Sequence, residues 1–181
     1  VLPFALLVCL KINNICEQEK IKNIIFLSRD GYWFHEIYKI IFPSQNVKYF
    51  YFSRLHVQNN GELIRQQFEN IKGRKFVFDL QGSGRTFHSL NVSDCHYFMC
   101  FLSHNSNLKN YMYRHSNKIS IIKTVIEDLF IAPHGSIHSY NDGIYNILDP
   151  EYDTDLIKSY FEGVGLFKKY WNTMKKYYSL S

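Results

Sequence analysis

Four short runs of the chain are apolar at nearly every position, and each gives way to a cluster of polar residues. The first, Ile24-Ile25-Phe26-Leu27, has the continuous pattern of a strand covered on both faces and ends in Ser28-Arg29-Asp30-Gly31. Residues 32–42 then carry Phe34, Ile37, Tyr38 and Ile41 at helical spacing, and Pro43 ends that helix. The second run, 47–52, is rich in aromatics and ends in Ser53-Arg54. Asn59-Asn60-Gly61 predicts a turn, residues 62–71 a helix flanked by Leu63, Gln67 and Ile71, and Gly73 its C-cap. The third run, Phe76-Val77-Phe78, predicts a strand with Asp79 at its carboxyl end. A loop with Gly82, Ser83, Gly84, Arg85 and Thr86 follows, and Phe87-His88-Ser89-Leu90 opens a helix. The fourth run, 95–102, ends in Ser103-His104-Asn105.

The flanks read differently. Residues 4–15 suit a buried helix, with Leu6, Leu7, Leu10 and Asn14 at helical spacing. Residues 108–122 alternate polar and aromatic and predict an insertion, with a short helix over 124–130. Tyr140-Asn141-Asp142-Gly143-Ile144-Tyr145 is a hairpin signal, because Asn-Asp and Asp-Gly favour turns with positive φ. Residues 154–178 predict a long closing helix, broken at Gly163-Val164-Gly165. No internal repeat or low-complexity linker interrupts the series.

Strands alternating with helices imply a mainly parallel sheet with right-handed crossovers. The predicted fold is therefore a single α/β domain over 1–181, with a core at about 21–103 and a hairpin and helical extension over 104–181. In such a sheet the polar strand ends lie along one edge, where ligands of open α/β sheets bind. Small residues after Asp79 would let backbone N–H groups approach a phosphate, and a helix N-terminus would add favourable partial charge. The same residues also suit a plain strand-to-helix turn.

Composition narrows the classes. A chain of 181 residues with 46% hydrophobic and 20% charged residues is globular and long enough for one sizeable core. The net charge of +5 fits an anionic ligand but lacks the clustered Lys and Arg of a nucleic-acid footprint. Cys9, Cys16, Cys95 and Cys100 form no C-x-x-C pair and read as reduced core cysteines, which suits a cytoplasmic setting. Residues 1–10 are apolar but too short to span a bilayer, and no basic residue precedes them as in a signal peptide. The chain opens on Val rather than Met, which predicts a fragment or an excised domain.

Two resemblances follow from these motifs. Asp79, Ser83-Gly84 and Thr86 resemble the ribose-phosphate loop of α/β phosphoribosyltransferases, and Arg29-Asp30-Gly31 is similar to their pyrophosphate loop. Phe78 stands where that family usually has the first of two acids. This resemblance covers about 21–103 and implies a Rossmann-like sheet, a phosphorylated ligand and a Mg²⁺ cofactor. The second is broader. Phe26 to Tyr32, Tyr51-Phe52-Ser53-Arg54, Asp79, Gly82, Gly84, Glu127, Ala132 to Ser136 and Tyr140 look like a bacterial domain. That domain lies C-terminal to haloacid dehalogenase-like hydrolases in surface-polysaccharide proteins. No clear Asp-x-Asp-x-Thr nucleophile motif is present, so this resemblance implies a hydrolase domain upstream of Val1.

The candidate chemistry centres on Asp79 and Arg29. Asp79 suits holding a ribose hydroxyl, or Mg²⁺ through water, and equally suits capping its own turn. Arg29, Asp30 and Gly31 would form one phosphate loop, with Arg29 clamping bidentately, while Arg54 and Arg85 add positive charge. The bland alternatives are an Arg29–Asp30 ion pair and solvated surface arginines. His134 and His138 are four apart, but Pro133, Gly135 and Ser136 argue for a loop and no third metal ligand is evident. His134 with Glu127 would make an acid/base pair if that loop folds over the strand ends, but His134 reads first as a hydrogen-bonding residue of the loop. The basic, Trp171-bearing closing helix, with Lys168, Lys169, Lys175 and Lys176, suits a membrane surface or a partner but reads first as a packed helix with a solvated basic face. The expected function is binding of a phosphorylated sugar or nucleotide, with phosphoribosyl transfer as the implied reaction. The alternative is a non-catalytic accessory domain of a hydrolase or glycosyltransferase.

Overall fold

The computed structural model describes residues 2–103, 106, 108–114, 125, 129–148 and 153–177. Helix α1 (Leu2–Gln18) leads into β1 (Asn23–Leu27), α2 (Tyr32–Ile41), β2 (Asn46–Phe50), α3 (Arg54–Glu69) and β3 (Lys75–Gly82). A single turn, α4 (Arg85–His88), precedes β4 (Cys95–Leu102) and β5 (Tyr111–Arg114). A hairpin, β6 (Ile137–Asn141) and β7 (Ile144–Ile147), and a long helix, α5 (Thr154–Met174), complete the described elements. The strands β2-β1-β3-β4-β5 form one sheet in that order, and every pairing in it is parallel. This is an open, doubly wound, Rossmann-like α/β sheet.

The pleat of the central strands sorts the core into two. Phe26, Phe76, Phe78 and Phe98 face α1, α2 and α5, where they meet Ile12, Phe34, Tyr38 and Trp171. Ile25, Leu27, Val77 and Met99 face the other way, against Ile64 and Phe68 of α3 and Phe87 of α4. The path from β1 to β2 crosses the first face, and the path from β2 back past β1 to β3 crosses the second. Reversing both direction and face keeps the two crossovers of one hand.

Tertiary contacts rewrite four local readings. Asp79 does not close its strand: β3 runs on to Gly82, pairing with β4 as far as Leu102. Asn59-Asn60-Gly61 is a kink inside α3, with Asn60 at φ −136° and ψ 28°, because the hairpin holds it there. The Asn60 side chain donates to the Tyr140 carbonyl (3.1 Å) and accepts from the Tyr140 N–H (2.9 Å), while Asn59 donates to the His138 carbonyl. Residues 111–114 of the expected insertion are edge strand β5, with Tyr113 stacked on Phe101 at 5.7 Å. The closing helix passes through Gly163 and Gly165 unbroken, since Ile157, Phe167 and Trp171 anchor it in the core. The hairpin appears as expected, with positive φ at Asp142 and Gly143. Positions 104–105, 115–124 and 126–128, and with them Glu127 and most of the expected short helix, lie outside the described residues. Among the described residues, no helix is long and apolar enough to cross a membrane.

A Cβ added at Gly163 or Gly165 meets nothing within 4 Å. Gly163→Ala and Gly165→Ala should each stabilise the protein, by up to about 1 kcal/mol, as expected for glycine in a continuous helix. Urea unfolding of the two variants measures it, and a loss of stability would place a break in α5.

Candidate functional site

The chain leaves β1 toward β2 on one side and leaves β3 toward β4 on the other. The crevice beyond the carboxyl ends of β1 and β3 is therefore the switch point of the sheet. A cavity of about 220 Å³ lies there. Ser28 and the segment Phe52 to Arg54 form one wall, and Asp79, Gln81, Tyr97 and the loop Gly82 to Thr86 form the rest.

Each wall group is fixed by a contact of its own. The Ser28 hydroxyl donates to the Phe52 carbonyl and accepts from the Phe52 N–H, both at 2.8 Å, and so binds the end of β1 to the chain after β2. Ser53 caps α3 by accepting from the His56 N–H (3.0 Å), and its hydroxyl donates to the Ile137 carbonyl of the hairpin. Arg54 opens α3, with its side chain exposed at the rim. Gly84 has φ 75°, and a Cβ there would stand 3.0 Å from the Tyr97 ring. Only glycine allows that left-handed turn to close over the ring. Arg85 donates from Nε to the Ser83 hydroxyl at 3.1 Å. The α4 helix is one turn long, so it supplies little of the helix partial charge expected from the sequence.

Asp79 is the carboxylate of the cavity wall. Tyr97 donates its hydroxyl to Asp79 Oδ2 at 2.7 Å. Burial drives the Asp79 pKa up to about 6, against the lowering effect of Tyr97 and of the Leu80 and Gln81 N–H groups. Burial and the Asp79 charge push Tyr97 well above its usual value, so it stays a neutral donor. Gln81 lies two residues on, on the same face of β3, with its side-chain amide buried.

Arg29, Asp30 and Gly31 stand outside this wall. Gly31 starts α2 with its N–H on the Leu27 carbonyl (3.0 Å), and an added Cβ would fall 2.4 Å from that oxygen. Its glycine thus serves the tight strand-to-helix turn. Arg29 is exposed, and the His134 pKa is lowered first by burial and further by the Arg29 charge. The loop carrying His134 lies against β2, while Glu127, its partner in the acid/base reading, lies outside the described residues. Tyr49 donates to His134 Nε2 (2.7 Å), and Nδ1 donates to the Gly135 carbonyl (2.8 Å), which fixes a neutral imidazole. Tyr51 packs on the same ring at 5.3 Å. Among the described residues, no three His, Cys, Asp or Glu side chains group as metal ligands, so His134 and His138 belong to no such cluster there.

The cavity thus gathers Asp79, Arg54, Gly82, Ser83, Gly84, Arg85 and Thr86, and adds Gln81 and Tyr97, which sequence reasoning missed. Tyr97 hides in a run that reads as core, and Gln81 lies beyond Asp79, where the sequence ends the strand. The available signal for Gln81 was the alternation Val77, Asp79, Gln81, which puts two consecutive polar groups on one face of a buried strand.

Asp79 sets a pH dependence. The folded state holds this proton up to about pH 6, and an unfolded aspartate releases it near pH 3.9. The folded state therefore binds more protons between those values, and stability falls as pH rises through about 4 to 6, then levels off. The loss is on the order of 3 kcal/mol. Asp79→Asn should flatten this limb in urea titrations run from pH 4 to 7, and an identical slope in wild type and variant would remove Asp79 as its source. Comparison of the sequence with protein-family models and with curated proteins gives no match.

Proposed function

We propose that the cleft at the ends of β1 and β3 binds a phosphorylated sugar or nucleotide. The observation that carries this reading is the meeting of Arg54, Arg85 and the Gly82–Thr86 loop with a buried carboxylate at the switch point of a parallel sheet. Neither guanidinium takes part in an ion pair among the described residues. Both are left to meet an anion, and arginine matches phosphate with two parallel N–H donors.

Asp79 acts alone. Phe78, at the position of the expected first acid, is 0% exposed and packs on Phe26 and Phe34 in the opposite core. One carboxylate suits a Mg²⁺ that arrives on the ligand's own phosphates, because that ion keeps several waters and takes one or two carboxylates. Such an ion would supply charge neutralisation on the phosphate oxygens. Above about pH 6 Asp79 is ionised, free to accept from a hydroxyl or to hold the ion. Transfer from a ribose phosphate would place the departing pyrophosphate against Arg54 and Arg85, which would stabilise its growing charge.

A thermal-shift series with phosphoribosyl pyrophosphate, nucleoside phosphates and nucleotide sugars, with and without Mg²⁺, tests this. A ligand at a hundredfold excess over its Kd stabilises the folded state by about 2.7 kcal/mol. The double variant Arg54→Ala, Arg85→Ala should weaken the binding by roughly tenfold or more, the scale of one lost charge-assisted hydrogen bond. Absence of a shift with every phosphate compound, in a folded sample, would sink the reading.

A further inference from the structure

Gln81 is the wall group that the fold leaves without a partner. It is 9% exposed, belongs to the cavity wall, and shares a face of β3 with Asp79. Neither Oε1 nor Nε2 has a hydrogen-bond partner among the described residues. Buried polar groups are nearly always paired, and leaving one unpaired is destabilising. The hydroxyls of Tyr97, Ser28 and Ser53 in the same wall are already committed. Tyr97 donates to Asp79, Ser28 is tied to Phe52, and Ser53 is shared between His56 and Ile137. The remaining source of a partner is whatever occupies the cavity.

The chemistry of that partner is constrained. A carboxamide offers an acceptor oxygen and two N–H donors, and Asp79 beside it adds an acceptor. An ionised phosphate oxygen accepts and does not donate, so it suits the guanidiniums at the rim; placed inward it would satisfy Nε2 but leave both Oε1 and Asp79 without a donor. A sugar hydroxyl both donates and accepts, and suits the pair. Hydroxyls therefore face inward and phosphate outward. At about 220 Å³ the cavity is smaller than the roughly 300–1,000 Å³ of pockets that enclose drug-sized ligands. One sugar ring with its phosphate fits that space better than a nucleotide with its base enclosed.

We infer that Gln81 is the specificity-determining residue of the cleft, pairing through its carboxamide with the hydroxyls of a sugar monophosphate whose phosphate lies at Arg54 and Arg85. This deepens the phosphate-binding reading and rests on it. It follows that the amide contributes to selecting the sugar and not to holding the phosphate. A site built to hydrogen-bond a hydroxyl rejects the analogue that lacks it.

Calorimetric titration of the whole chain separates the two ideas. The probes are ribose 5-phosphate, glucose 6-phosphate, pentyl phosphate (an ester without hydroxyls) and inorganic phosphate, each against wild type and Gln81→Leu. Wild type should prefer at least one sugar phosphate over pentyl phosphate by about tenfold or more. Gln81→Leu should bring that ratio close to one, leave inorganic phosphate binding unchanged, and melt no lower than wild type without ligand, since it removes an unpaired amide. If Gln81→Leu does not fold, Gln81→Met is read the same way. An unchanged sugar preference in the variant overturns the role of Gln81 while leaving phosphate binding intact. Equal weakening toward all four probes makes Gln81 a structural residue and also overturns it. Failure of every probe to bind wild type removes the phosphate reading and this inference together.

Discussion

Strand β3 lies between two cores and has no solvent face along most of its length. Successive side chains of a strand point to opposite faces, so every residue of β3 must suit one buried layer or the other. Phe76, Phe78 and Leu80 fill the layer under α1, α2 and α5. Val77 fills the layer under α3, and the next two residues on that face are Asp79 and Gln81. A carboxyl and an amide thus sit where the pattern calls for apolar groups. The sheet tolerates them because this end of the strand borders a cavity instead of packed side chains. The geometry of the cleft descends from that one constraint. Tyr97 on the neighbouring strand supplies the hydroxyl that Asp79 needs, and Gly84 turns the loop tightly enough to close over the Tyr97 ring.

Burial and pairing act against each other at Asp79. Three donors favour the charged carboxylate, yet burial still leaves it protonated to about pH 6. A carboxyl held in this balance is ionised near neutrality at some cost to the empty fold, and that cost falls when a ligand donor or cation reaches it. Gln81 stores a similar cost in its unpaired amide. Both groups make the free cleft less stable than an apolar one and so favour an occupant with polar hydrogens.

The second half of the chain reaches the strand ends through a small number of polar contacts. Trp33 donates from its indole to the Ile131 carbonyl at 2.7 Å, Tyr49 to His134, and Ser53 to Ile137. Asn59 and Asn60 bind the hairpin to the kink of α3. The hairpin and the His134 loop thereby form a wall beside the cleft, with Tyr49, Tyr51 and Tyr145 packed around it. Arg29 belongs to this neighbouring cluster and not to the Asp79 cavity.

The local pattern was enough to read the strands at Ile24, Phe76 and Cys95, helix α2, the hairpin turn at Asp142-Gly143 and the α/β class, because continuous apolar runs, helical periodicity and positive-φ turn residues are short-range properties. It also brought Asp79 and the Gly82–Thr86 loop to the sheet edge, since strand ends of a parallel sheet must share it. Tertiary structure alone decided the rest. It extended β3 beyond Asp79 through pairing with β4, kinked α3 at Asn60 against the hairpin, and carried α5 through two glycines by packing. It turned Gly31 and Arg29 away from the cavity and turned Gln81 and Tyr97 into it. Those outcomes depend on contacts between residues far apart in the chain, whose energies rival the local preferences they override.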